Sequence, residues 1–434
     1  YQNSKRFVFG YYDLFGAWDF GFGIFGSISY LSPVINWAYT RKFFFLLYYV
    51  YMFWNKPKSY LGIDIGSGGI KLVELRLEKK RPVLSTYGLT SNKQDIHKLQ
   101  VKEDKNITNL LRGDNTANTP PSVPPLKSEG IDEAQIEKYA NILKAVLKTA
   151  RVISKSAVVS LPVSSVFHSV VTLPMVKKEE LDHIIKAEVR KLLPMALEEM
   201  ALDYQVLKGL PEDKSQHVLV NAVPHKLIEF YSKVFQRAGL ALEALEPEST
   251  ALARALVGRD QAVSMIIDIG SERTNFFIID QGMPITHQSI ESGGDKIDRI
   301  LQNILGVEQA LVEQMKYDLF DYLGTTGNNI LNEQKWLDIL IPVVDPIIKE
   351  IEVSLELYLR QTGNEGKRPE KIILTGGMAL MPFLSKYIQE KFKIKCYVGD
   401  SWARIVYQDG LKPVLRQIGP RMSVAIGLAM RSIV

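Results

Sequence analysis

The 434-residue sequence has little of what disulfides, zinc sites and nucleic-acid-binding surfaces need. Its one cysteine, Cys396, excludes an internal disulfide and fits a reducing compartment. Six scattered histidines give no zinc-ligand spacing. The formal net charge is only +5, and no basic stripe with interleaved aromatic residues occurs, so we expect no nucleic-acid partner. The Walker phosphate loop and the Rossmann fingerprint are also missing.

The first 51 residues differ from the rest, since they hold 19 of the chain's 42 aromatic residues. Their longest apolar run, residues 43–54, falls well short of the roughly 20 residues that a membrane-spanning helix needs. Three interpretations stay open: a membrane anchor, a soluble domain, and read-through of sequence upstream of the true start. We favour read-through, because Met52 is followed by a short polar leader and then directly by the first predicted strand. The fold prediction therefore excludes residues 1–51.

The remaining chain is organised around residues 60–75, YLGIDIGSGGIKLVEL, which predict a strand, a tight turn and a second strand. The glycines of the turn allow positive φ angles and let backbone N–H groups form an anion-binding nest. Lys71 can add a positive charge, and Asp64 at the strand end can hold a hydrated Mg²⁺ through its waters. Taken alone, the stretch fits a plain β-hairpin equally well.

Two later stretches extend this plan. Residues 266–279, IIDIGSERTNFFII, again place a D-x-G-S turn between two apolar strands, which suggests two similar halves facing one ligand. Residues 372–382, IILTGGMALMP, predict a buried strand that runs into Gly376 and Gly377 and then into a helix. Paired glycines at that place let the backbone lie flat against a nucleotide.

Hydrophobic periodicity predicts the other elements. The further predicted strands are residues 83–89, 156–161, 166–173, 203–207, 217–223 and 283–290. The predicted helices are residues 131–150, 177–193, 225–238, 244–256, 307–319, 336–361 with a break near the prolines at 342 and 346, and 422–430, and Gly293 and Gly294 open one more. Residues 91–130 are polar and end in a proline-rich run, which favours a disordered loop or a docking segment.

The three glycine motifs, in this order, resemble the phosphate-1, phosphate-2 and adenosine motifs of the actin-like ATPase superfamily. That superfamily includes actin, the chaperone ATPase domain, sugar kinases, FtsA and MreB. The resemblance implies an α/β, actin-like ATPase fold with two similar halves around a nucleotide cleft.

Within the superfamily the chain resembles PilM-type proteins, the actin-like component of the type IV pilus inner-membrane assembly. Residues 173–207 best distinguish this family from other actin-like proteins. Their sequence, LPMVKKEELDHIIKAEVRKLLPMALEEMALDYQVL, is similar to the family's small inserted IC (SHS2-like) subdomain. The motifs LEPESTALARAL, ILTGGMALMPFL and AIGLAMR are similar as well. The implied subdomains are IA at residues 52–163 and 223–258, IC at residues 164–222, and IIA and IIB within residues 259–434.

The resemblance implies ATP and Mg²⁺ as ligands, with Asp64 and Asp268 holding the metal through water. The implied nucleotide contacts are Asp64, Gly66, Ser67, Gly68, Lys71, Asp268, Gly270, Ser271, Thr274, Gly293, Gly294, Glu313, Lys316, Gly376, Gly377 and Met378. Glu313 and Lys316, three residues apart on one helix face, also fit a solvated surface pair.

The second turn departs from the family pattern, because Glu272 and Arg273 stand where small polar residues are commoner. Arg273 could contact phosphate, whereas Glu272 would repel it if it faced inward. No residue is an evident catalytic base from its spacing, although Glu243, Glu246 and Glu248 precede the second hairpin. The expected activity is therefore at most a slow or regulated ATPase.

The resemblance also implies a cytoplasmic scaffold, peripheral to the inner membrane, that binds the N-terminal cytoplasmic peptide of a PilN-like protein at the surface between IA and IC. Other pilus inner-membrane components and self-association are further expectations. The alternatives are an FtsA-like membrane-associated division protein, the related type II secretion module, and a sugar or acetate kinase. FtsA-like chains generally end in an amphipathic membrane helix, whereas this sequence stops directly after the predicted helix at residues 422–430.

Overall fold

The computed structural model of the protein describes residues 58–90, 133–207, 215–306, 333–361, 366–381 and 383–433, together with Glu308, Val312 and Asn364. The aromatic-rich extension and the polar loop lie outside the described residues, as does most of the predicted helix at residues 307–319. Among the helices in the described part of the chain, none combines the length and the apolar character that crossing a membrane requires.

The described part of the chain contains both strands and helices. The strands are β1 (Ser59–Gly66), β2 (Gly69–Glu78), β3 (Arg81–Leu89), β4 (Ser156–Leu161), β5 (Phe167–Pro174), β6 (Met200–Val206), β7 (Ser215–Pro224), β8 (Ala241–Pro247), β9 (Ser264–Ile269), β10 (Thr274–Asp280), β11 (Met283–Ile290), β12 (Lys371–Thr375) and β13 (Lys395–Val398). The α-helices are α1 (Glu133–Thr149), α2 (Lys178–Val189), α3 (His225–Ala238), α4 (Glu248–Leu252), α5 (Gly294–Leu305), α6 (Glu333–Leu359), α7 (Leu384–Phe392) and α8 (Lys412–Ala429). A π-helical turn, Ala253–Val257, directly follows α4.

Two five-stranded sheets share one topology. The strand order is β3-β2-β1-β4-β8 in the first sheet and β11-β10-β9-β12-β13 in the second. In each sheet three antiparallel strands continue into two parallel strands. The prediction of two similar halves is thereby confirmed. In both sheets the strand that carries the motif aspartate, β1 or β9, is the central one.

A third, smaller sheet has the antiparallel order β5-β7-β6. Helix α2 covers it through Leu181, Ile185 and Val189, which recur at the spacing of one helical turn and pack with the valines of β5 and β7. The sheet forms where the sequence predicts the inserted subdomain, and the boundaries of that subdomain stay a prediction. The predicted helix at residues 177–193 ends earlier than expected, at Val189.

The helix predicted over residues 244–256 is wrong in its first part. Residues Ala241–Pro247 form β8, which pairs in parallel with β4, and the helix begins only at Glu248. A short apolar run fits strand and helix equally well by periodicity, so a pairing partner elsewhere in the chain decides between them. Here the edge of β4 supplies that partner.

The predicted break at the prolines of α6 is also wrong, because the helix runs without interruption from Glu333 to Leu359 through Pro342 and Pro346. An interior proline costs about 3 kcal/mol, since it removes one hydrogen bond and crowds the preceding turn. Burying one large aliphatic side chain stabilises by about 1.5–3 kcal/mol, so several of them offset the two prolines. The buried aliphatic residues of α6 are Leu340, Val343, Val344, Ile347, Ile348 and Ile351.

Helix α8 packs closely, as its small residues predict. A Cβ atom added to Gly62 of β1 would lie 2.2 Å from the carbonyl oxygen of Ala425. A Cβ atom added to Gly427 would lie 1.9 Å from the carbonyl oxygen of Ala251 in α4. Helix α8 therefore fits against the first sheet and α4 only because glycine occupies both contact points.

Candidate functional site

The two D-x-G-S turns approach each other directly. Ser67 and Gly68 form the first turn, between β1 and β2, and Ser271 belongs to the second, between β9 and β10. A Cβ atom added to Gly68 would lie 3.3 Å from Cβ of Ser271. The tertiary structure thus brings together two motifs about 200 residues apart in the sequence.

Asp64 and Lys71 form an ion pair beside the first turn. They are directly opposite in the β1–β2 ladder, and Lys71 Nζ lies 3.1 Å from Asp64 Oδ2. The hydroxyl of Ser160, on the neighbouring strand β4, donates to Asp64 Oδ1 at 2.8 Å. A Cβ atom added to Gly66 would lie 2.7 Å from Lys71 Nζ, so the ammonium group lies close against the backbone of the turn. Asp64 is therefore fixed from two sides, and Lys71 places a positive charge at the predicted phosphate site.

The second turn is bonded to the start of α5. The amide of Gly294 donates to the Gly270 carbonyl at 3.0 Å, and that of Asp295 donates to the Ser271 carbonyl at 2.8 Å. The Ser271 hydroxyl donates to Asp295 Oδ1 at 2.7 Å. A Cβ atom added to Gly293 would lie 2.5 Å from the Ser271 carbonyl oxygen. Turn and helix start form one unit, in which these two amides bind protein carbonyls.

The third glycine motif packs against the same region. Gly376 has a φ of +90°, and a Cβ atom added to it would lie 2.4 Å from the Ile269 carbonyl and 2.5 Å from Asp268 Oδ1. The amide of Met378 donates to that same carbonyl at 3.2 Å. A Cβ atom added to Gly294 would lie 3.1 Å from Cγ of Met378. The motif therefore joins the strand of Asp268 to the start of α5.

Four further predicted nucleotide contacts are Thr274, Gly377, Glu313 and Lys316. Thr274 is fully buried, and its hydroxyl donates to the Ser292 carbonyl, so it braces the second turn. Gly377 is half-buried. Glu313 and Lys316 lie outside the described residues. The role of each predicted contact stays a prediction.

The carboxyl groups of Asp64, Asp268 and Glu248 interact electrostatically with one another, and we call these three groups the carboxyl cluster. Burial and then the charge of Asp64 raise the pKa of Asp268 to about 7, an effect that Lys71 partly offsets. Burial, Asp64 and Asp268 raise the pKa of Glu248 well above its ordinary value. Among the described residues, Lys71 is the cation that acts on both Asp268 and Glu248, so a bound cation would further stabilise the ionised form of the cluster.

Oxygen ligands of this kind suit Mg²⁺, which usually keeps several waters and binds through one or two carboxylates. Within the ranges that the structure describes, no three His, Cys, Asp or Glu side chains converge to ligate one metal ion directly. A cation at the carboxyl cluster would therefore complete its coordination shell with water or ligand oxygens. The residues present fit a hydrated Mg²⁺ on these terms.

The structure separates the three candidate glutamates. Glu243 is exposed, and Glu246 is buried in an ion pair with Arg254. Glu248, by contrast, belongs to the carboxyl cluster and accepts a hydrogen bond from Asn275 Nδ2 at 3.2 Å. Of these three glutamates, Glu248 is the one that interacts with the motif aspartates Asp64 and Asp268.

Sequence reasoning missed Ser160 and Asn275. Ser160 is a polar residue that follows the apolar run AVV near the end of the strand SAVVSL, next to the strand that carries Asp64, and this was a usable signal. Asn275 has no comparable signal. Its importance depends on Glu248, which is distant in the sequence and reaches it only through the fold.

Comparison with known proteins gives a family match and a structural match. Residues 122–433 match the profile of a family described as type IV pilus assembly protein PilM. A solved PilM-PilN type IV pilus biogenesis complex matches with a TM-score of 0.65 and 20% identity, over 86% of this chain and 98% of that chain.

Curated relatives match over shorter stretches. The chaperone protein DnaK of Methanothermobacter thermautotrophicus is 27% identical over 232 residues, which are 45% of this chain and 36% of DnaK. The cell shape-determining protein MreB of Escherichia coli strain K12 is 24% identical over 190 residues, 38% of this chain and 54% of MreB. The match therefore spans about a third of the first relative and about half of the second.

Proposed function

Because the chain belongs to the PilM family of type IV pilus assembly proteins and has an actin-like ATPase fold, we propose that it is an ATP-binding scaffold of the pilus inner-membrane assembly. The observation that carries the proposal is the direct approach of the two hairpin turns, Gly68 to Ser271, beside the carboxyl cluster and Lys71. Backbone amides of glycine-rich turns and one lysine suit phosphate groups, and the carboxyl cluster suits their hydrated Mg²⁺.

Hydrolysis, in this proposal, is slow and depends on Glu248. Asp64 and Asp268 would hold a hydrated Mg²⁺, whose positive charge would favour the ionised form of Glu248. Glu248 is then the carboxylate available to take a proton from water, because Glu246 is held by Arg254 and Glu243 is exposed. Without a cation, burial and the charges of Asp64 and Asp268 raise the pKa of Glu248, which disfavours its action as a base.

The partner, in this proposal, is the cytoplasmic N-terminal peptide of a PilN-like protein. Support comes from family membership and from the PilM-PilN complex, whose fold this chain shares. The inserted three-stranded sheet also contacts the second half, since Val170 of β5 packs against the core around β9 and β10. Closure of the two halves around ATP would therefore reach a sheet that forms part of the proposed peptide surface.

The test is peptide binding with and without Mg-ATP. The peptide is the cytoplasmic N-terminal segment of a PilN-like membrane protein, and the full chain is titrated against it. We expect a Kd of about 1 μM, equivalent to about −8 kcal/mol, that changes when Mg-ATP is added. Lys71→Met should retain peptide binding and lose the effect of Mg-ATP. The matched control, Lys349→Met on the exposed side of α6, should behave like the wild type.

An ATP-loaded protein that binds no peptide would count against the pilus scaffold and favour the FtsA-like alternative. That alternative predicts sedimentation with anionic lipid vesicles or as polymers, so the same sample should be centrifuged with vesicles. Binding of the peptide without binding of ATP would support the proposed partner and overturn the nucleotide part of the proposal.

A further inference from the structure

Three hydrogen bonds in series connect the exposed edge of the second half to the carboxyl cluster. Arg273 Nε donates to Ser289 Oγ at 3.0 Å, and Ser289 Oγ donates to Asn275 Oδ1 at 2.7 Å. Asn275 Nδ2 then donates to Glu248 Oε2 at 3.2 Å. At the outer end, Arg273 Nη1 also donates to the exposed carboxylate of Glu291 at 3.2 Å.

The direction of this series is fixed by its first member. A guanidinium group has only donors, so the Ser289 oxygen must accept from Arg273. The one hydroxyl proton of Ser289 is then available for the carbonyl end of the Asn275 amide. The amide is thereby oriented with its NH₂ group toward Glu248. Arg273 thus determines which end of Asn275 faces the carboxyl cluster.

The strands hold these side chains in place. Asn275 and Ser289 are direct partners in the β10–β11 ladder, so their side chains are neighbours on one face. Glu248 comes from the other half, as the first residue of α4 after β8 of the first sheet. The last hydrogen bond of the series therefore joins the second half to the first at the carboxyl cluster.

We propose that Arg273, Ser289 and Asn275 form a relay that holds the Glu248 carboxyl group in position for hydrolysis, with Arg273 as a positioning residue instead of a phosphate contact. The inference rests on the proposed ATPase function and extends it to residues outside the glycine motifs. It also explains the unusual arginine of the second turn, because a long donor side chain at position 273 reaches β11.

Steady-state ATP hydrolysis distinguishes the two roles of Arg273. If Arg273 acts through the relay, Arg273→Met and Ser289→Ala should each lower kcat about tenfold and change KM for ATP less than about twofold. Ser289→Thr keeps the hydroxyl and should retain the wild-type kcat. Glu291→Gln removes only the exposed ion pair and is the matched surface control. A raised KM with unchanged kcat in Arg273→Met would instead identify a phosphate contact and overturn the relay.

A second readout needs no turnover. Selective ¹⁵N-asparagine labelling gives the side-chain NH₂ signal of Asn275, which is assigned by its loss in Asn275→Ala. In the nucleotide-free protein we expect slow hydrogen exchange of this group, faster exchange in Arg273→Met and Ser289→Ala, and no change in Ser289→Thr and Glu291→Gln. An Asn275 signal that is identical in Arg273→Met and the wild type would overturn the relay.

Glu248→Gln separates failure of the relay from failure of the proposed function. A wild-type protein that hydrolyses ATP no faster than Glu248→Gln would overturn the catalytic role of Glu248. It would also overturn the proposal that the relay positions Glu248 for hydrolysis. A wild type faster than Glu248→Gln but equal to Arg273→Met and Ser289→Ala would leave hydrolysis standing and overturn the relay alone.

Discussion

At the residue scale, the geometry of the candidate site depends on the absence of a side chain at Gly376. Gly376 turns the chain after β12 with a φ of +90°, and its missing side chain leaves room for Asp268 Oδ1 and the Ile269 carbonyl. The amide of the same glycine donates to the Pro420 carbonyl at 2.9 Å. One residue thereby connects the strand of Asp268, the third glycine motif and helix α8.

Replacing this glycine should damage both stability and the site. Gly376→Ala is expected to lower the free energy of unfolding by about 1–3 kcal/mol, because a Cβ atom is strained at this φ and collides with Asp268. It should also weaken Mg-ATP binding, which isothermal calorimetry measures alongside chemical denaturation. Gly410→Ala is the matched control, since a Cβ atom there meets nothing within 4 Å. Equal unfolding free energies for the two variants would contradict this account.

Helix α6 illustrates the element scale, where packing outweighs local preference. Its two prolines oppose an uninterrupted helix, and its buried aliphatic face against the second sheet maintains one. Pro342 is exposed, so its ring contributes little to that face. The helix is therefore stable in spite of Pro342, and replacing this proline should increase the free energy of unfolding.

Pro342→Ala should accordingly stabilise the protein. Removing an interior proline stabilises the folded helix by about 3 kcal/mol, whereas the greater flexibility of the unfolded chain lowers the free energy of unfolding by about 0.4–1 kcal/mol. The net increase in the free energy of unfolding is about 2 kcal/mol. Chemical denaturation measures this gain. The exposed neighbour Asp345→Ala should change the unfolding free energy by less than about 0.5 kcal/mol. A lower stability of Pro342→Ala would mean that a bend at this proline is needed for packing.

At the scale of the whole molecule, a pair of stacked histidines joins the inserted sheet to the second half. The rings of His168 in β5 and His287 in β11 are parallel within 6°, with centroids 3.5 Å apart. His168 Nδ1 lies 2.8 Å from Asn221 Oδ1, and the ring of Phe277 meets His287 edge to face. Among the residues that the structure describes, neither ring nitrogen of His287 finds a hydrogen-bond partner. Burial lowers the pKa of both histidines, and the neighbouring His168 lowers the pKa of His287 further.

This contact should make stability depend on pH. A histidine whose folded-state pKa lies below its ordinary value of 6.5 contributes stability above pH 6.5, and that stability is lost as the pH falls through the folded-state pKa. We therefore expect the thermal unfolding midpoint of the protein to decrease when the pH is lowered from 7.5 to 5.5. His287→Phe keeps a stacked ring without a titrating group and should lose less over the same interval. An equal loss in variant and wild type would show that other groups govern this pH range.

Much of the fold follows from local features of the sequence. Alternating apolar residues on both sides of Asp64 and Asp268 predicted two hairpins, and the structure has both. Helix α3 has the predicted bounds, because an amphipathic run ends at Gly239 in the left-handed conformation. The small residues of α8 predicted its close packing, which Gly62 and Gly427 make possible. These features depend on residues a few positions apart, where periodicity and backbone preference suffice.

Only the tertiary structure decided the rest. Residues 241–247 become a strand because β4 pairs with them, and α6 stays unbroken because the second sheet buries its aliphatic face. The fold also distinguishes glutamates of similar sequence context. Glu246 forms an ion pair with Arg254, whereas Glu248 accepts a hydrogen bond from Asn275. The physical reason is common to all three cases. Pairing, burial and hydrogen-bond partners are supplied by segments distant in the sequence, so local pattern alone does not specify them.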